Sequence, residues 1–214
     1  MRGNVTTQTG PATGPLRRMP VQGRSVARVA RMLDTCAELI DESGYDALTT
    51  TLLAERAGVA IGTVYQFFPD KRAVVAALTK RNVEAYVERL SERLASGGMT
   101  RWVDAVDAAL DEYIDMHRHV PGFRTLHFGD VIDLNLLDPE RDNNGVIVAE
   151  LGALLAHHFG LIRDDRLEFA LAMAVEMADA LVKAAFRYKV DGDERILSEA
   201  KRIVRDYLDR AVPD

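Results

Sequence analysis

The sequence has a single cysteine, no long apolar run and no alternating pattern of useful length for a sheet. Cys36 alone cannot close an internal disulfide, and its place on the apolar face of an expected helix makes it a reduced core residue. A membrane-spanning helix needs about 20 consecutive apolar residues. The nearest approach, FALAMAVEMADALVKAAF, is interrupted by Glu176, Asp179 and Lys183. The N-terminus also lacks the continuous apolar core of a signal peptide, so the chain reads as cytoplasmic. Histidines are few and poorly spaced for a metal. His117 and His119 lie two apart and His157 and His158 are adjacent, so neither pair stacks two ligands on one helix face. No Ser-His-Asp set or glycine-rich phosphate loop holds together, so neither a metal nor a cofactor is expected.

The 214 residues, 48% of them hydrophobic, can bury a real core as one large or two small domains. A formal charge of −6 excludes a protein that coats nucleic acid along its whole surface. The charge is uneven. Residues 1–31 hold six arginines (Arg2, Arg17, Arg18, Arg24, Arg28, Arg31) and no acid, while the remainder carries 21 basic and 33 acidic residues, or −12. A basic end on an acidic body suits contact with a polyanion at that end, or a solubilising tail.

Residues 1–23, rich in Gly, Pro and Thr, read as a disordered arm. From Ser25, a plausible N-cap, Val26, Val29, Ala30, Leu33, Cys36, Ala37 and Ile40 recur at helical spacing up to Gly44. Thr49–Thr51 offer caps for a short helix ending near Ala57, and a second short helix covers Ile61–Phe67. Pro69-Asp70 starts a longer helix that stops at Ser96-Gly97-Gly98. Beyond that boundary, helices are expected over 101–119, 123–128, 146–159, 166–189 and 194–211, with an irregular stretch over 129–145. The fold class is all-α: a disordered basic arm (1–23), a helix-turn-helix unit (24–71), a connecting helix (72–98) and a larger helical body (99–214).

The stretch AERAGVAIGTVYQFFPDK carries the chemistry. Ala54 and Ala57 let two short helices cross closely, and Gly58 supplies a positive φ for the turn between them. Val64, Phe67 and Phe68 recur inward, which leaves Ile61, Gly62, Thr63, Tyr65 and Gln66 on or near the outer side. A short helix with a small, polar outer face fits a DNA major groove. Thr63 and Tyr65 can bond phosphate, and Gln66 can pair with adenine. Lys71 and Thr50 can reach backbone phosphates from either side. Over residues 25–75 the chain resembles the TetR family of transcriptional regulators, most specifically in LAERAGVAIGTVYQFFPDK. The Gly-Thr-x-Tyr element and the following Phe-Pro-x-Lys stand where that family has them. Two departures are Ala60, where a capping Ser or Thr is frequent, and Phe67, where His is frequent. The resemblance implies a DNA-reading head on a ligand-binding, dimerising body: a repressor that a small effector releases from a palindromic operator. Arg17, Arg18 and Arg24 then stand where an arm can enter the minor groove.

For the body, two readings stay open. A two-fold DNA site calls for a homodimer, and Leu171, Ala174, Ala178, Leu181 and Ala185 with Leu197, Val204, Tyr207 and Leu208 form stripes suited to a four-helix interface or to the protomer core. The set Trp102, Tyr113, Met116, His117, Phe123, His127, Phe128, Phe159, Met173, Glu176 and Met177 is compatible with an apolar pocket for a small apolar or aromatic effector. The alternative to a regulator is a helical small-molecule-binding protein or enzyme using that cavity.

Overall fold

The computed structural model describes residues 23–126 and 143–212. They form eight helices and no strand among the described residues. These are α1 (Gly23–Ala47), α2 (Thr50–Ala57), α3 (Ile61–Phe67), α4 (Lys71–Ala95), α5 (Trp102–His119), α6 (Asn143–Phe159), α7 (Asp165–Phe186) and α8 (Glu194–Ala211). Local chemistry sets most of their ends. Thr49 caps α2 by accepting from the Leu52 N–H, Asp70 caps α4 through Ala73, and Asp164 caps α7 through Leu167. Within α1, Gly44 sits at φ 79°, so the helical course breaks there and its last residues turn toward α2.

Two apolar cores result. The first gathers α1 to α3 and the start of α4 around Met32, Cys36, Ile40, Leu53, Val64, Phe68 and Leu78, all buried. Arg56 clasps Glu42 with both guanidinium nitrogens, and Arg81 reaches Asp34 at 2.6 Å, tying α2 and α4 to α1. The second core fills the space between the rest of α4 and α5 to α8. α7 and α8 pack along their lengths, and α6 lies across α7.

Helix α4 belongs to both cores. Val74, Val75 and Leu78 are buried in the first, whereas Val83, Tyr86, Leu90 and Leu94 are buried in the second. At the joint, Thr79 Oγ1 and Asn82 Nδ2 are buried without a hydrogen-bond partner among the described residues. A second link runs through the turn after α5. The Asp41 carboxylate of α1 accepts from the Gly122 N–H at 2.8 Å and from the Thr125 hydroxyl at 3.1 Å. Phe123 of this turn is buried in the second core and Leu126 in the first.

Several expectations change. Residues 121–126 form turns rather than the start of a helix, because Gly122 takes φ 74°. Helix α6 starts at Asn143, three residues before the expected Val146, and α7 ends at Phe186 rather than Lys189. Leu171, Ala174, Ala185, Leu197, Val204 and Leu208, expected as dimer-stripe residues, are buried within the protomer itself. Ala178, Leu181 and Tyr207 are half-buried. The exposed apolar residues of α7 are instead Phe169 and Met173.

Gly122 tests the second link. A Cβ there would meet the Ala37 Cα at 2.9 Å, and the positive φ already disfavours a side chain. Gly122→Ala should lower unfolding free energy by about 1–3 kcal/mol, read as a lower urea midpoint at unchanged m-value.

Candidate functional sites: reading helix and internal cavity

The geometry of the helix-turn-helix follows from three small features. Gly58 adopts the left-handed conformation (φ 64°, ψ 40°) and its N–H reaches the Ala54 and Glu55 carbonyls, closing α2. The Val59 N–H bonds back to the Ala54 carbonyl at 3.0 Å, which turns the chain tightly into α3. Ala60 has no side chain with which to cap α3, so the seven-residue helix is held by burial of Val64 and Phe67 and of Phe68 just beyond it.

On the opposite side of α3, Ile61, Gly62, Tyr65 and Gln66 are exposed and Thr63 is half-buried. This is the face expected from the sequence. Tyr65 Oη shares a 3.0 Å hydrogen bond with Thr50 Oγ1, so the phenol is steered by the first residue of α2. Lys71 donates to the carbonyls of Tyr45 (3.3 Å) and Asp46 (3.5 Å), and its Nζ lies 4.4 Å from the Tyr45 ring centroid. The ammonium is thereby held at the junction of α1 and α4. Arg17 and Arg18 lie outside the described residues, and Arg24 falls in the first turn of α1.

The body contains an apolar cavity that is partly open to solvent. It lies between α4, α5, α6, α7 and α8 and is walled by aliphatic side chains such as Leu90, Val106, Leu110, Ile147, Leu155 and Leu171. Its polar lining residues are Tyr86, Tyr113, Asn144 and Asp179. The Tyr86 hydroxyl donates to the Ala109 carbonyl at 3.1 Å. Tyr113 donates to Asp179 Oδ1 at 2.8 Å, and Asp179 Oδ2 lies 2.5 Å from Lys183 Nζ. The Asn144 amide nitrogen donates to Glu176 Oε1 at 2.7 Å.

Of the residues expected to line a pocket, Tyr113 does. Trp102, Met116, His117 and Phe123 are buried in the core outside the lining. Phe159 and Met177 are half-buried and Met173 and Glu176 exposed, none of them in the lining. His127 and Phe128 lie outside the described residues. Aromatic and sulfur side chains fill space well, which explains why they sit where the packing is closed. Asn144 falls in the stretch 129–145 that reads as irregular, before the expected helix start at 146, and Asp179 reads only as interrupting an apolar run.

His117 serves another purpose. Its ring lies 4.4 Å from that of Tyr113, 5.0 Å from Phe123 and 5.1 Å from Phe186, and its Nδ1 bonds the Tyr113 carbonyl at 2.9 Å. It connects the cavity wall to the turn at 120–126.

These two sites match one known pattern. Residues 32–78 match the family described as bacterial regulatory proteins, tetR family. Residues 100–212, more than half the chain, match the tetracyclin repressor-like, C-terminal domain. The chain belongs to the TetR family. A TetR-family transcriptional regulator from Streptomyces coelicolor is 43% identical, with TM-score 0.76, over 86% of this chain and 99% of its own. The fatty acid metabolism regulator protein of Bacillus subtilis is 34% identical over 62 residues, 29% of this chain and 32% of that relative. The HTH-type transcriptional repressor KstR of Mycolicibacterium smegmatis is 34% identical over 73 residues, 34% of this chain and 35% of that relative. The chain thus spans about a third of the length of these curated relatives. As a TetR-family protein it is a DNA-binding transcriptional regulator with a helical C-terminal domain, and no described helix is long and apolar enough to cross a membrane.

Burial holds the His117 imidazole down at about 4, from an ordinary 6.5, with Lys183 and Arg124 adding to the effect and the Tyr113 carbonyl opposing it. The folded state therefore prefers neutral His117. Its contribution is complete above pH 6.5 and is lost as pH falls toward 4, by roughly 3 kcal/mol at most. Urea unfolding at pH 4.5 and 7 should show a smaller difference in His117→Gln than in the native chain.

Proposed function

We propose that this TetR-family protein is a ligand-responsive repressor that binds a palindromic operator as a homodimer and leaves it when a small molecule occupies the body cavity. The observation that carries this reading is the sharing of α4. Tyr86, Leu90 and Leu94 wall the cavity, while Val74, Val75 and Leu78 of the same helix anchor the reading head. A ligand that parts α4 from α5 or α6 must tilt the helix that carries the head. The turn at 120–126 is a second route: Tyr113, at the cavity, contacts Phe123 at 5.7 Å, and the turn is clasped to α1 through Asp41. An effector that binds the DNA-free state about 100-fold more tightly supplies roughly 2.7 kcal/mol of coupling.

In this reading α3 enters the major groove. Ile61, Gly62 and Thr63 approach base edges or phosphate, and Gln66 pairs with adenine. Tyr65, Thr50 and Lys71 contact phosphates, and Arg17, Arg18 and Arg24 lie in the adjacent minor groove. Homodimerisation uses the outer face of α7, where Phe169 and Met173 stand exposed one turn apart, together with the half-buried Ala178, Leu181 and Tyr207. An enzymatic use of the cavity lacks support: Asp179 is already bonded to Tyr113 and paired with Lys183, and among the described residues no histidine lines the wall.

Selection of bound sequences from a random double-stranded pool at about 150 mM salt should enrich a palindrome with half-sites one helical turn apart. On that site Tyr65→Phe should weaken binding several-fold with unchanged melting temperature. A variant that binds as tightly as the native chain at every salt concentration would remove Tyr65 from the phosphate-contacting set.

A further inference from the structure

The cavity wall carries an unmet hydrogen-bond acceptor. Asn144 is 8% exposed, and its Oδ1 has no hydrogen-bond partner among the described residues. The orientation of its amide is fixed chemically: Glu176 Oε1 can only accept, so the nitrogen must face it and the oxygen is left over. Leaving a buried carbonyl unpaired is costly in an empty protein and is relieved by a bound donor. The other polar groups on the wall are engaged. Tyr86 donates to Ala109 and Tyr113 donates to Asp179. Asp179 is paired with Lys183.

The charge of the wall narrows the ligand further. Among the described residues no lysine, arginine or histidine lines the cavity, and the carboxylate on its wall, Asp179, is already paired with Lys183. A buried carboxylate or phosphate headgroup would meet no cation on that wall to offset its loss of hydration. The rest of the wall is aliphatic, suited to a hydrocarbon body.

We propose that the ligand of this cavity is a neutral, largely aliphatic molecule with a hydrogen-bond donor, a hydroxyl or N–H, that donates to Asn144 Oδ1. The inference rests on the reading of the cavity as an effector site, and it specifies the chemical class. Acidic lipids and their phosphorylated conjugates are disfavoured by the same wall.

The test measures binding directly, by calorimetry on the full chain, with three probes of one chain length: decanol, methyl decyl ether and decanoate. Decanol should bind about tenfold more tightly than the ether, the size of one net hydrogen bond. Decanoate should bind more weakly than both. In Asn144→Leu, decanol and the ether should bind equally, with a melting temperature no lower than that of the native chain. The proposal is overturned if native protein binds the ether as tightly as decanol, prefers decanoate, binds none of the three, or if folded Asn144→Leu keeps the preference. The native comparison stands even if the variant does not fold. Release from the selected operator is measured separately. Decanol that binds with this preference but releases no DNA would reject the repressor coupling and keep the ligand class. Release by decanoate alone would do the reverse.

Discussion

One helix must satisfy two cores at once. Over its 25 residues, about 37 Å at 1.5 Å per residue, α4 offers Val74, Val75 and Leu78 to the reading head and Tyr86, Leu90 and Leu94 to the body. A rigid rod with an anchor at each end cannot move at one end alone. Everything else in the molecule is arranged around that constraint. Where the two cores meet, α4 carries Thr79 and Asn82, buried polar side chains each with an unpaired atom among the described residues. A seamless apolar core at that point would bind the two halves more tightly. The polar joint keeps the junction less stable than either core.

The turn at 120–126 repeats the logic on a smaller scale. Two of its apolar residues point to different cores, Phe123 to the body and Leu126 to the head. Two of its polar bonds go to a single carboxylate on α1, and Arg124 donates to the Val190 carbonyl. Gly122, just before Phe123, allows the backbone to lie against Ala37. The head is therefore held to the body by a helix along one side and a clasp along another, and the cavity wall touches both through Tyr86 and Tyr113.

How much of this was legible in the sequence depended on the range of the interactions involved. The helix-turn-helix could be read because its determinants are local: the Thr49 and Asp70 caps, the positive φ of Gly58, and the inward spacing of Val64 and Phe67. The body could not be read in the same way. Helix α7 carries apolar residues on more than one face, so its sequence left Leu171 and Ala174 open between a dimer interface and the protomer core, and they are buried in the protomer. The cavity was harder still, because it is defined by where side chains fail to meet. Most of the aromatic residues mark places that are filled, and mainly small and aliphatic residues from five helices, with Tyr86 and Tyr113, enclose the space that is not. Residue type carries little signal for that.

The missing cap at Ala60 has a consequence for how such a protein changes over time. Because α3 is held from beneath by Val64, Phe67 and Phe68, none of the residues on its outer face is needed to keep it helical. Ile61, Gly62 and Gln66 are free of hydrogen-bonded obligations to the fold that a capping side chain would have imposed, and Tyr65 has one, to Thr50. On the proposed reading, recognition and stability fall to different positions of the same seven residues. Substitutions at the outer positions can therefore accumulate with little stability penalty, and a duplicated copy of this head can acquire a new target sequence while the cavity, its wall and its linkage to α4 stay as they are.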